Sequence, residues 1–221
     1  GPENSEVYEA GLKAQFDQVA FNIAVFKQSV DGFQSNIFTG TGFALANAGK
    51  QSVFGIEFDS SVSPIEPLTI TFAATYLDAK YDSFVNTGIA IPGQPTPQQG
   101  GPQLDLSGAE PSGIPELSFS LGAAYTHEFN GGAKLTGRVD YSYESHVQIA
   151  DNIPGITREQ NNLNAALIFE LENGIEVSVW GRNILNNRYI TTVFPSVAQS
   201  GSVSGYPSQP RTYGIEGRFR F

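Results

Sequence analysis

Few residues in this chain of 221 are suited to chemistry, and their spacing does not bring them together. His127 and His146 are the only imidazoles; they fall at different hairpin positions and lack metal-ligand spacing. Glu57 with Asp59, or Glu9 with Glu176, are the pairs that could be imagined as catalytic carboxylates. No Ser-His-Asp arrangement, phosphate loop or nucleotide fingerprint is present. Cysteine is absent, which removes thiol chemistry and any disulfide framework. The sequence therefore predicts no enzyme, no cofactor and no metal. Glu57, Arg138, Trp180 and Arg182 instead occupy the polar positions of alternating segments. There the carboxylates oppose Lys13, Arg138, Arg182 and Arg218, as expected of a charge ladder facing an interior. Trp180 shares that face and is expected to touch whatever fills it.

The elements that hold these residues are strands. Side chains alternate faces along a strand, so a segment with every second residue apolar wants oil on one side and water on the other. In the final stretch Tyr213, Ile215, Phe219 and Phe221 take one face, and Thr212, Glu216, Arg218 and Arg220 the other. About nine segments read this way, each near the ten residues that a tilted membrane strand needs. They begin at Val7–Phe16 and Val19–Phe26, continue through a third strand near Ser52–Ser60 and the run from Leu68, and end with the cleaner hairpins after Leu117. Asn130-Gly131-Gly132 and Glu172-Asn173-Gly174 supply the positive φ of tight hairpins.

Connections alternate in length. Those near 17, 65, 130 and 173 are short; those at 31–50, 82–113, 147–160 and 189–209 are long and rich in Gly, Pro, Gln, Ser and Asn. Short turns at one end and long loops at the other mark an antiparallel transmembrane β-barrel of the outer-membrane type, with the short turns in the periplasm. A soluble β-sandwich does not require this asymmetry. Aromatics near the strand ends fit an interfacial girdle, with Phe16, Phe129, Phe219 and Phe221 low and Tyr8, Tyr76, Tyr141, Tyr143 and Tyr213 high.

Composition agrees. With 24 Gly, 13 Pro and 15% charged residues, the chain has the turn-rich, weakly charged make-up of an all-β protein. Its mean hydropathy of −0.17 is uninformative for a barrel, whose interior residues cancel its lipid-facing ones. A net charge of −10 excludes nucleic acid as a partner. Methionine is absent, so Gly1 is no translation start, and the chain is expected to be cut, processed or built from a longer one.

Several motifs resemble, in order, those of TonB-dependent outer-membrane receptors. Pro2-Glu3-Asn4-Ser5 with Tyr8-Glu9-Ala10-Gly11-Leu12-Lys13 resembles one family strand, and Val25-Phe26 with Gly32-Phe33-Gln34 the next. Phe54-Gly55-Ile56-Glu57-Phe58 and Ile114-Pro115-Glu116-Leu117-Ser118 with Ala124-Tyr125 resemble two more. Trp180-Gly181-Arg182-Asn183-Ile184-Leu185-Asn186-Asn187-Arg188-Tyr189 resembles the family's Trp-Gly-Arg-Asn motif, with Asn187 where an acidic or small polar residue is common. Pro210-Arg211-Thr212-Tyr213-Gly214 and Phe219-Arg220-Phe221 resemble its last strand.

The resemblance implies that residues 1–221 are the carboxy-terminal part of a barrel of twenty-two strands, whose lumen is plugged in this class. The amino-terminal plug, the TonB-contacting segment and the earlier strands are then missing partners. The implied location is the outer membrane of a Gram-negative bacterium, among its lipids. The implied function is uptake of a scarce small molecule, a ferric siderophore or an oligosaccharide, energised by the TonB complex through the plug. Phe221 resembles the signal read by the barrel-assembly machinery. Ligand contacts are expected in the long loops, at Phe33, Phe38, Phe43, Phe84, Arg158, Tyr189, Phe194 and Tyr206, where aromatics and polar groups suit a glycan or an aromatic chelate. The alternative is a small passive pore or structural barrel without a plug. An odd strand count leaves edges that must pair with absent strands or with another copy.

Overall fold

Alternation of apolar and polar residues builds a single antiparallel sheet of nine strands in the computed structural model, ordered β1-β2-β5-β6-β7-β8-β9-β10-β13. The structure describes residues 1–38, 43–47, 49–85, 87–91, 94–95, 99–196, 199 and 202–220, with backbone alone for 35–38, 43, 44 and 46. The sheet strands are β1 (Asn4–Gln15), β2 (Val19–Asp31), β5 (Lys50–Ile65), β6 (Leu68–Ser83), β7 (Leu117–Glu128), β8 (Lys134–Gln148), β9 (Thr157–Glu170), β10 (Ile175–Arg182) and β13 (Thr212–Phe219). Each pairs with its neighbour in sequence along the sheet, and β1 and β13 are open edges. Nine alternating strands leave those two edges running in the same direction.

One end of the sheet is closed by short turns. Phe16 N donates to Val19 O, Phe129 N to Ala133 O and Leu171 N to Ile175 O. Gly131, Gly132 and Gly174 sit at positive φ, which a side chain at those positions would oppose.

The other end differs from expectation in three respects. The strand expected near Ser52–Ser60 runs from Lys50 to Ile65, because β5 and β6 continue their pairing past Tyr76↔Leu117, the last β6–β7 pair. The connections 31–50 and 189–209 hold hairpins rather than open loops: β3 (Gln34–Phe38) pairs with β4 (Phe43–Asn47), and β11 (Ile190–Pro195) with β12 (Val203–Pro207). Each is a five- or six-residue strand pair, too short to show a convincing alternation among Gly, Thr and Ser. Third, the end of β6 and the connection after it pack a small core with the connection after β2: Tyr81 and Phe84 are buried against Phe33, Leu106 and Ala109.

Candidate functional site

Register assigns every sheet residue to one of two faces. Along one row across the sheet, Leu12, Ile23, Phe58, Ala74, Phe119 and Tyr143 are successive partners. That face also carries Leu121, Val139, Leu167, Val179 and Ile215, which are exposed; Ile215 is 77% exposed and Leu167 57%. A contiguous exposed apolar surface of this kind marks a face that meets a partner or a membrane. Rings continue across it, with Phe21–Phe58, Phe58–Phe72, Phe72–Phe119 and Phe119–Tyr143 centroids 6.4, 6.0, 6.2 and 5.3 Å apart.

The opposite face is polar. At the short-turn end, Glu128, Lys134, Glu170, Glu176 and Arg218 are successive register partners. Lys134 pairs with Glu128, Arg218 with Glu176 at 3.4 Å and Glu216 at 2.9 Å, and Arg220 with Glu176 at 3.5 Å. Higher up, Arg138 holds Asp140 through two bonds of 2.7 and 3.0 Å. Trp180 is the register partner of both Ala166 and Gly214, and the Arg182 guanidinium stands 4.9 Å from its ring centroid. Glu57 and Asp59 share this face, Asp59 accepting from Asn22 Nδ2 at 2.8 Å. Glu9 and Glu176 lie on β1 and β10 with six strands between them, so they form no pair. His127, on the apolar face, packs edge-on to Phe129 at 4.6 Å. Among the described residues no cluster of His, Asp and Glu could hold a metal ion.

Toward the long-loop end the polar face becomes a recess. Glu57, Thr75, Ser118, Glu144 and Gln160 are successive partners, and so are Asp59, Ala73, Ser120, Ser142 and Asn162. The short side chains of these rows leave an open recess of about 270 Å³ lined by Thr75, Ser118, Ser120, Ser142, Glu144 and Gln160 together with Ala73, Ala74, Phe119 and Tyr143. None of these was proposed as a site from the sequence; face parity puts the first six on one face, and register sets them side by side.

The residues expected to contact ligand scatter. Arg158 bonds Thr191 O at 3.1 Å and Glu144 at 3.4 Å, beside the recess. Tyr189 donates to Gln160 Oε1. Phe194 and Tyr206 pack together at 5.7 Å on the β11–β12 hairpin. Phe33 packs on Tyr81 at 6.0 Å, and Phe84 is 1% exposed, which makes it core of the connection rather than a contact surface. Phe38 and Phe43 are register partners at the β3–β4 turn, and their side chains lie outside the described residues, as does Phe221.

Two hydrogen-bond knots fix the connections around the recess. Tyr81 donates 2.8 Å to Asp151, which also accepts from Ser112 N at 3.0 Å. Tyr81 stands beyond the last β6–β7 pair, outside the apolar band. Burial first, then the Asp151 charge, pushes its hydroxyl well above its ordinary 10.0. Nearby, Ser107 holds the Asp105 carboxyl below the usual range by hydrogen bonding. At the corner after β10, buried Asn183 takes φ 47° and donates 2.9 Å to both Asn187 O and Gln209 O, while its Oδ1 accepts from Asn187 N at 2.9 Å.

Residues 1–184 match the sequence profile of the "TonB dependent receptor-like, beta-barrel" family. The chain belongs to that family, whose two-faced sheet it displays. Among solved structures it is similar to the ferric yersiniabactin uptake receptor FyuA from Yersinia pestis (17% identity, TM-score 0.77), covering 99% of this chain and 30% of that one. It is also similar to BauA, the ferric preacinetobactin receptor from Acinetobacter baumannii (20%, TM-score 0.62; 96% and 29% covered), and to the copper transporter OprC (15%, TM-score 0.66; 100% and 31% covered). At these identities the likeness defines the fold, and the chain spans about a third of each receptor's length.

Proposed function

We propose that this chain is the carboxy-terminal wall of an outer-membrane receptor that takes up a scarce solute in a Gram-negative bacterium. The observation that carries this reading is a sheet apolar on one face and polar on the other, open at both edges. In a bilayer every backbone polar group needs a partner within a closed sheet, so the open edges call for further strands of the same barrel. Because β1 and β13 run the same way, closing on themselves would need a parallel seam, which speaks against a free-standing passive pore. An even-numbered barrel follows when the missing wall contributes an odd number of strands.

In this reading the polar face, with Glu57, Arg138, Trp180 and Arg182, lines the lumen and packs against an amino-terminal plug. The plug receives energy from the TonB complex, and Phe221 is read by the barrel-assembly machinery. The cargo class, ferric siderophore or oligosaccharide, draws on the receptors whose barrels it resembles and on the polar groups of the long connections. The protein is a transporter rather than an enzyme. Uptake of the cargo by cells expressing the intact protein should stop when TonB is deleted; uptake indifferent to that deletion would favour the passive pore.

A further inference from the structure

We infer that Asn130, at the tip of the β7–β8 turn, is a site of spontaneous modification: the backbone nitrogen of Gly131 closes on its side chain and converts it to aspartate or isoaspartate. Three junctions of Asn or Asp with a following Gly occur in the chain, Asp31-Gly32, Asn130-Gly131 and Asn173-Gly174. A glycine brings no side chain to shield its own nitrogen, so all three have the composition for this ring closure. Their hydrogen bonds separate them.

Two of the three nucleophiles are occupied. Gly32 N donates to Gly49 O at 2.8 Å, and the Asp31 carboxylate stands 3.4 Å from Lys50 Nζ. Gly174 N donates to Leu171 O at 3.1 Å, and Asn173 Oδ1 accepts from Ile175 N at 3.3 Å. Gly131 N has no acceptor among the described residues, and the Asn130 side-chain amide has no partner there either. Residues 129–132 are exposed, and a Cβ on Gly131 would stand in open space.

The turn is anchored at its base and loose at its tip. Phe129 N donates to Ala133 O at 2.8 Å and Gly132 N to Phe129 O at 3.2 Å, while the Phe129 ring packs on His127 and Phe169. Between these anchors Gly131 and Gly132 take φ of 105° and 79°, a region that glycine enters and leaves at little cost. Both flanking strands find their other neighbours, β6 and β9, within this chain, so the turn does not lie at an open edge.

The step balances with water as its sole co-reactant. Deprotonated Gly131 N forms a bond to Asn130 Cγ, the Cγ–Nδ2 bond breaks, and the side-chain nitrogen leaves as ammonia, giving a cyclic imide. Water then opens the imide at Cγ to give aspartate, or at the backbone carbonyl to give isoaspartate, which lengthens the main chain within the turn. Either product puts a new carboxylate near Glu128, which already pairs with Lys134.

The test holds the intact protein in detergent micelles in mildly alkaline buffer. Samples taken over time are mapped by tandem mass spectrometry with fragmentation that separates aspartate from isoaspartate. The expected result is conversion at Asn130 about tenfold or more faster than at Asn173, where two hydrogen bonds must break before the ring can close. Synthetic peptides spanning 125–136 and 168–179 should lose that difference, because neither turn is held there. Equal rates at the two positions in the folded protein, or faster loss at Asn173, would overturn the assignment. So would an Asn130 that stays intact in the folded protein while its peptide converts. The same ratio in protein and peptides would trace the difference to neighbouring sequence and overturn the structural account of it.

Discussion

The indole of Trp180 on β10 occupies the space that a side chain at its register partner on β13, Gly214, would need: a Cβ there would meet the ring. Phe26 and Gly55 repeat the relationship on β2 and β5. In both pairs a ring on the polar face covers a cross-strand glycine, a device that pins register where glycine alone would loosen a strand. Gly55→Val and Gly214→Val should each cost about 1–3 kcal/mol through overpacking. Gly217, with open space around its missing Cβ, should accept Ala with no loss. Urea unfolding in micelles reads all three; equal tolerance at 55, 214 and 217 would remove the register role.

Tyr81→Phe should loosen the outer connections without disturbing the sheet. Among the described residues Asp151 then keeps only the Ser112 N–H, and a hydrogen bond to a charged acceptor is worth about 1.5–3 kcal/mol. The expected readout is faster amide exchange over 106–116, with β7–β10 unchanged.

The same tyrosine sets an alkaline limit. Its hydroxyl is raised above the ordinary 10.0 in the folded protein, so its contribution is whole below pH 10.0 and is lost as pH rises toward the folded value. The difference in phenolate absorbance between wild type and Tyr81→Phe should therefore stay flat through pH 10, where an exposed tyrosine would titrate. A normal titration there would mean that Tyr81 is open to water.

Asn183→Ala should be the costliest single change at the β10 corner. It removes three hydrogen bonds around a buried group and puts alanine at positive φ, a loss of about 2–4 kcal/mol. Asn183→Gly tolerates the φ but not the lost bonds, so it should recover only part of the stability.

How far the sequence carries is visible in these residues. Parity along Leu117–Tyr125 and Leu135–Tyr143 is enough to assign both faces, because a period of two is fixed by backbone geometry and needs no tertiary information. It also put Trp180 and Arg182 on the polar side. The β3–β4 and β11–β12 hairpins were hidden, since five-residue strands among Gly and Ser carry too little pattern. The recess was hidden for a different reason. Ser118, Ser142 and Gln160 are unremarkable polar positions one by one, and only the register across four strands puts them side by side. Phe84 shows the converse, an aromatic in a polar connection that reads as a ligand contact and is packed away instead.

Substitution on the apolar face should depend on depth. Leu167→Arg, on that face, should cost up to about 2–4 kcal/mol in lipid vesicles, and Thr71→Arg on the polar face much less.

The most direct measurement is site-directed spin labelling along β13 in membranes, to which this chain brings no cysteine of its own. Labels at Tyr213, Ile215, Gly217 and Phe219 should collide with lipid-soluble oxygen, and labels at Gly214, Glu216 and Arg218 should not. Alternation with a period of two in that phase is the result a receptor wall predicts. Uniform exposure to a water-soluble relaxant along all seven positions would contradict it.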